Sequence, residues 1–372
     1  MTTPADTLSR LLRPAGGGIH LVSTGKAEQE ALQRSLYGAA DEAGVQARWR
    51  EDLARLATAR GFLLGIPSDV GAGFRRGANL GPGALRARLL ADDPRRAERA
   101  RAAGLVDLGD VFVVPQLLHD DMLSAAQLAA SRAALYPGAA DAGVLPVSPL
   151  SIAERALELA LSVNPQAKVF ALGGDHSCAW PVVKALAPHV PGLGIVQLDA
   201  HTDLLEERLG VRYCFGTWSF HANDLVGRGG RMVQVGIRAT RRTRDHWETT
   251  LGVRQFWAED VNRDPAAAVD AIVRHVRASG VRAVYLSNDI DGTDERWADA
   301  TGTPEPGGLT PDFVSELIRR LGREVGLCGG DVMEVAPGLG RDAAGNDGTV
   351  GLAARYLAET IDAAMGATGQ GV

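Results

Sequence analysis

Three short apolar runs in this chain each end in a cluster of Asp and His, and this pattern restricts the possible fold more than any other feature. The clusters read Leu172-Gly173-Gly174-Asp175-His176-Ser177, Leu198-Asp199-Ala200-His201-Thr202-Asp203 and Ser287-Asn288-Asp289-Ile290-Asp291-Gly292. Brief apolar runs bounded by Gly or Asp read as strands buried on both faces, as in a parallel sheet covered by helices. Phe62–Ile66, Leu105–Leu108, Lys168–Leu172, Gly194–Leu198, Met232–Ile237, Ala283–Asn288 and Asp331–Val335 fit that description. Helical patterns follow or intervene at Ile152–Val163, Cys178–Ala187, Ala266–Ser279, Pro311–Leu321 and Thr349–Ala364. Alternation of the two predicts a layered α/β fold. Asp110–Pro149 is polar and Pro-containing, and predicts loops with one helix over Ser124–Ala134.

Residues 1–58 differ from the rest. They carry helical segments near Lys26–Tyr37 and Gln46–Arg60 and no strand pattern. They are expected to form a helical N-terminal extension that packs on the main domain, residues 59–372, or on a neighbouring subunit. There it would cover the mouth of the site or a subunit interface.

Ligands of open α/β sheets gather beyond the carboxyl ends of the strands. All three clusters fall there, so segments distant in sequence can converge. Side chains two apart in extended chain share a face, which aligns Asp199 with His201 and Asp203, and Asp289 with Asp291. With His176, this brings four carboxylates and two imidazoles together. A single Asp or His at a strand end is commonly only a cap; three such clusters are not explained that way. Four carboxylates in one pocket repel unless cations intervene, and two divalent ions would relieve the repulsion. Mixed carboxylate and imidazole donors suit Mn, Ni, Co or Zn, whereas Ca takes oxygen alone.

The composition narrows the class. Net charge is −6, which gives no reason to expect a nucleic-acid or membrane partner. The three cysteines, Cys178, Cys214 and Cys328, form no disulfide framework. No apolar run reaches membrane-spanning length, and the Met1-Thr2-Thr3-Pro4 start lacks a signal-peptide core. A cytoplasmic protein is expected.

The clusters resemble the three signatures of the arginase/agmatinase, or ureohydrolase, family. Gly65-Ile66-Pro67-Ser68-Asp69 and Gly77-Ala78-Asn79-Leu80-Gly81-Pro82 resemble its first strand and loop. Residues 301–310, Thr-Gly-Thr-Pro-Glu-Pro-Gly-Gly-Leu-Thr, resemble an agmatinase-type loop, and Asp331–Val335 the last strand. The resemblance spans about residues 60 to 366 in order. It implies a three-layer α/β/α fold with a mainly parallel eight-stranded sheet, assembled as a homo-oligomer, trimer or hexamer. It also implies two metal ions per chain, Ni2+ or Mn2+, and hydrolysis of a guanidinium C–N bond of a small guanidino compound to release urea. His176 and Asp203 would bind one ion and His201 and Asp291 the other, with Asp199 and Asp289 bridging. Glu334 would face the substrate guanidinium, and Asp203 would move a proton to the leaving amine.

Some residues depart from that pattern. Phe215 stands where the family carries a His, about a dozen residues after the second cluster. A phenyl ring can wall a small pocket or stack on a planar cation, but it cannot shuttle protons. His221 is a candidate substitute for the missing His; Cys214, also close by, reads as a small buried residue. Asp294-Glu295-Arg296-Trp297 replaces the usual Asp-Pro continuation, and Asn288 replaces an aromatic or apolar residue. Trp218 and Trp297 are further candidates for the pocket wall, Trp297 alternatively for the core. Together the departures resemble the branch acting on free guanidine or small alkylguanidines, which is associated with nickel. Agmatine or a guanidino acid is the alternative substrate. A non-catalytic partner subunit of a hetero-oligomer is the other reading, and the intact ligand set counts against it.

Overall fold

The computed structural model describes residues 3–366. The outermost parts of the two expected segments, 1–2 and 367–372, lie outside the described residues.

Nine strands form one sheet: β1 Leu12–Arg13, β2 Gly61–Ile66, β3 Leu105–Val111, β4 Lys168–Gly173, β5 Leu193–Leu198, β6 Met232–Ile237, β7 Arg254–Trp257, β8 Ala283–Asp289 and β9 Leu327–Met333. Their spatial order is β1-β3-β2-β4-β9-β8-β5-β6-β7. Strands β2 to β9 are parallel, giving the eight expected. The ninth, β1, pairs antiparallel with β3. It comes from the segment expected to contain no strand, because two residues are too few to show a period.

Strands β2–β6, β8 and β9 each feed two cores, as an alternating side-chain direction requires. Phe62, Leu64 and Ile66 join the core under helices Pro149–Val163, Ala179–Leu186 and Trp218–Leu225. Leu63 of the same strand joins the core under helices Pro265–Ala278, Pro311–Glu324 and Ala343–Met365. The result is the α/β/α layering anticipated from the apolar runs. Among the described residues no helix is long and apolar enough to cross a membrane.

The N-terminal helices Pro4–Leu11, Lys26–Tyr37 and Glu42–Leu53 pack at the β3 edge of the sheet. Leu8, Leu11, Leu12, Trp49 and Leu53 are buried in the first core. Trp49 Nε1 donates to Leu108 O at 2.9 Å, and Ala15 N donates to the Tyr37 hydroxyl at 2.9 Å. Among the described residues of this segment, none lines the cleft beside Phe215 described below.

The last strand begins four residues before the expected Asp331, because Gly329 and Gly330 lie within it and do not form a turn. A Cβ at Gly329 would stand 1.9 Å from Val169 O, so only glycine allows β9 to approach β4 there. Strands β4, β9, β8 and β5 are neighbours at the sheet centre, and their carboxyl ends carry His176, Glu334, Asp289 and Asp199.

Candidate metal centre

The first cluster leaves β4 through a loop locked by Asp175, whose carboxylate accepts from Ser177 N at 2.9 Å and Gly71 N at 3.0 Å. The second leaves β5 with Asp199 accepting from His201 N at 2.6 Å. The third leaves β8 with Asp289 accepting from Asp291 N at 2.9 Å. Each carboxylate thus caps its own turn; Asp175 spends both oxygens on the loop, while Asp199 and Asp289 keep Oδ2 toward the centre. Gly292 lets the third turn lie against the second: a Cβ there would be 2.7 Å from Asp199 N.

Donor atoms from the three clusters meet. His176 Nδ1 lies 3.1 Å from Asp199 Oδ2, 3.4 Å from Asp203 Oδ2 and 3.0 Å from Asp289 Oδ2. His201 Nδ1 lies 3.1 Å from Asp291 Oδ2 and 3.5 Å from Asp199 Oδ1. Two groups of ligand atoms result, His176–Asp199–Asp289 and Asp199–His201–Asp291, with Asp199 common to both. Asp203 adds a carboxylate to the first.

The tautomer of His176 tests whether these residues suit cations. Ser287 Oγ donates to Asp331 at 2.9 Å, so it must accept from His176 Nε2, 2.9 Å away. The proton therefore sits on Nε2, and the Nδ1 lone pair points at three carboxylate oxygens without a hydrogen-bond partner. A buried lone pair facing anions is repulsive unless a cation lies between them. Protonating Nδ1 as well is the alternative, but that supplies one positive charge among four carboxylates.

The titration behaviour of the cluster reflects the same shortage of positive charge. Burial and then Asp199 push Asp203 up to about 6. Burial, Asp291 and Asp199 hold Asp289 well above the carboxylate range. Asp199 is also penalised by burial, but the neighbouring imidazoles of His176 and His201 outweigh this and hold it below its ordinary value. Burial opposes charging of His201, and Asp291 and Asp199 overcome it, pushing the imidazole up to about 12. The donor set fits two divalent cations: His176, Asp199 and Asp289, with Asp203 beside them, could hold one, and Asp199, His201 and Asp291 the other.

The remaining expected residues fall in different places. Glu334 is buried beside the cluster, accepting from His176 N at 2.9 Å, with its own N donating to Gly174 O at 2.8 Å. Burial and Asp175 push its carboxyl well above the ordinary range. Phe215 lines a cleft with Val70, Gly71, Phe74, Leu118 and Leu209, and the Arg208 guanidinium lies 5.0 Å over its ring. Trp218 was expected on the pocket wall, but it is fully buried behind the ligands. Its Nε1 donates to Asp203 Oδ2 at 3.0 Å, and its ring lies 4.5 Å from the His176 imidazole. His221, the candidate substitute at Phe215, turns away: its Nε2 is held by the carbonyls of Glu206 and Arg212, 3.1 Å from each. Trp297 is 38 % exposed with the Arg296 guanidinium 4.8 Å over its ring, so it lies at the surface, outside the core.

Other contacts at the site come from residues the sequence reading did not select. Thr303 Oγ1 donates to Asp291 Oδ2 at 2.9 Å. Arg238 donates to the carbonyls of Asp291 at 2.7 Å and Glu305 at 2.9 Å, tying the third cluster to the loop at 301–310. Gln197 Nε2 donates to Asp199 Oδ2 at 2.7 Å. Motif spacing carried no signal for these cross-strand partners.

An α/β/α sandwich that gathers imidazoles and carboxylates at the carboxyl ends of central parallel strands defines the class of metal-dependent hydrolases. The chain is 30% identical over 296 residues to a guanidinobutyrase of Pseudomonas aeruginosa, covering 77% of this chain and 82% of that relative. It is 30% identical over 308 residues to the mitochondrial guanidino acid hydrolase of Homo sapiens, covering 80% and 76%. The solved structure of proclavaminate amidino hydrolase from Streptomyces clavuligerus superposes with a TM-score of 0.64 at 28% identity, covering 82% of this chain and 92% of that one. The Arginase family description matches residues 59–362, and the chain belongs to that family of dinuclear, metal-dependent hydrolases.

Proposed function

We propose that this chain hydrolyses a guanidinium C–N bond to release urea, and that its substrate is free guanidine or a small alkylguanidine. When bound, the two ions supply a water activated near neutral pH and positive charge to stabilise the reacting carbon. The chain's own residues do the rest. Glu334, a buried carboxylate short of counter-charge, receives the guanidinium N–H groups. The Asp203 carboxylate, oriented by Trp218, carries a proton from the attacking water to the leaving nitrogen. Phe215 carries the substrate assignment: it replaces a polar residue in an apolar wall, which suits a planar cation with little or no tail.

One observation favours the second reading, a guanidino acid. Arg208 lies over Phe215 at the same cleft, where it can bind a distal carboxylate. Two of the relatives bear names of that kind. Urea release from guanidine, methylguanidine, agmatine, guanidinobutyrate and arginine, with Ni2+ and Mn2+ loaded separately, tests both. Turnover of guanidine or methylguanidine alone supports the small-substrate reading. Turnover of guanidinobutyrate that is lost in Arg208→Met replaces it with the guanidino-acid reading. No urea from any substrate favours a partner subunit. The proposal includes a cytoplasmic homo-oligomer, trimer or hexamer, which analytical ultracentrifugation checks.

A further inference from the structure

A file of buried glutamines runs across the sheet to the carboxylate shared by both ligand groups. Gln197 on β5, Gln234 on β6 and Gln255 on β7 are direct partners in the parallel register, so their side chains stack side by side on one face. All three are fully buried. Trp257 Nε1 donates to Gln255 Oε1 at 2.9 Å, and Gln255 Nε2 donates to Gln234 Oε1 at 2.8 Å. Gln234 Nε2 donates to Gln197 Oε1 at 2.7 Å, and Gln197 Nε2 donates to Asp199 Oδ2 at 2.7 Å. Ser219 Oγ adds a second donor to Gln197 Oε1 at 2.8 Å, and Gln234 Nε2 also reaches Thr202 O at 2.6 Å.

The direction of this chain follows from its ends. An indole N–H only donates, and an ionised carboxylate only accepts. Every amide between them must therefore present its oxygen toward Trp257 and its nitrogen toward Asp199; reversing any one would set donor against donor and acceptor against acceptor. Amide dipoles aligned in one direction reinforce one another, and the last N–H is delivered to one oxygen of Asp199. That oxygen lies on the His176 side, while Oδ1 faces the His201 side and accepts from His201 N.

We infer that Gln197, Gln234 and Gln255 are positioning residues that fix the rotation of the Asp199 carboxylate, so that its two oxygens are divided between the two ligand groups. The inference rests on the reading of this cluster as a two-metal centre. It makes Trp257, on the edge strand, the remote end of an arrangement that sets metal affinity at the middle of the sheet.

The test is titration of metal-free, full-length protein with Mn2+ against a competing chelator, with electron paramagnetic resonance of the loaded protein. Two ions bridged by one carboxylate give an exchange-coupled spectrum that isolated ions do not. Melting of the metal-free protein is measured in parallel. Gln197→Leu is expected to weaken Mn2+ binding by about 10- to 100-fold, the usual effect of losing a hydrogen-bond partner of a ligand, and to reduce the coupled signal. Gln255→Leu touches no ligand residue and serves where Gln197→Leu fails to fold. It is expected to shift affinity in the same direction by about twofold, the loss of one reinforcing bond. Variants that melt earlier but bind two coupled Mn2+ ions as the wild type does would show that the glutamines only pack the core, and overturn the inference. Wild-type protein that binds fewer than two ions per chain would overturn the metal reading, and this inference with it.

Discussion

Asp203 and Glu334 adopt left-handed backbone, with φ of 51° and 61°. Only Leu209 and Arg228 share that trait among the described non-glycine residues. Such conformations cost about 1–3 kcal/mol each and persist where the surroundings enforce them. Here the backbones are held by Phe220 N donating to Asp203 O and by Glu334 N donating to Gly174 O, and the carboxylates by Trp218 and His176. On the proposed function, Glu334→Gln removes the charge that would receive the guanidinium but leaves the candidate ligand set intact. It is expected to raise KM and lower kcat/KM by about 10-fold or more, the worth of one charge-assisted hydrogen bond; metal analysis of the same protein should still find two ions per chain. Asp289→Ala is expected to lose both turnover and metal, and two ions retained in that variant would contradict its bridging assignment. The convergence of His176, Asp199, His201, Asp203, Asp289 and Asp291 was legible in the sequence because period-two spacing at strand ends is a local pattern. Ser287, Asp331 and the glutamines were not, because their contacts depend on which strands lie side by side and in what register.

Some helices were read closely: Lys26–Tyr37 matches, and Ser124 caps the helix beginning at Ala125; the one expected over Gln46–Arg60 instead runs Glu42–Leu53, started by the Asp41 cap, and the last begins at Ala343, six residues before the expected Thr349. Short or glycine-bearing elements escaped. Arg254–Trp257 spans four residues, and helix Gly81–Asp92 opens with Gly-Pro-Gly, which reads as a turn. The N-terminal segment was read as a helical extension packing on the main domain or a neighbouring subunit, and Trp49 and Leu53 are buried in the first core. Trp49→Ala is therefore expected to destabilise the protein by about 3–5 kcal/mol through the cavity it leaves, measured by urea denaturation. A change within about 0.5 kcal/mol would mean that the segment contributes little to the folded state. Deleting residues 1–58 is expected to expose the β3 edge and cause aggregation; unchanged assembly and activity would remove any role for the segment in either.

At the scale of the whole molecule, the sheet gathers carboxylates that the polypeptide alone cannot neutralise, so stability and metal binding are linked. A ligand that binds only the folded state adds stability by mass action, about 2.7 kcal/mol at a hundredfold excess over Kd. Chelation is accordingly expected to lower Tm by several degrees, and Mn2+ or Ni2+ to restore it. The size of this gap depends on pH in a definite direction. In the metal-free protein, burial and then Asp199 push Asp203 up to about 6, and burial alone pushes Asp331 up to about 6, against about 3.9 in the unfolded chain. A carboxyl whose folded pKa is raised binds more protons folded than unfolded, so its contribution to stability is full below about 4 and is lost as pH rises through about 6. Lowering pH from 7 toward 5 thus stabilises the metal-free form through these groups. The same protons compete with metal for the ligands and weaken the loaded form. The difference in Tm between metal-loaded and chelated protein should therefore narrow steadily as pH falls through about 6. A difference that stays constant from pH 7 to 5 in differential scanning calorimetry would show that the buried carboxylates are not what the cations neutralise.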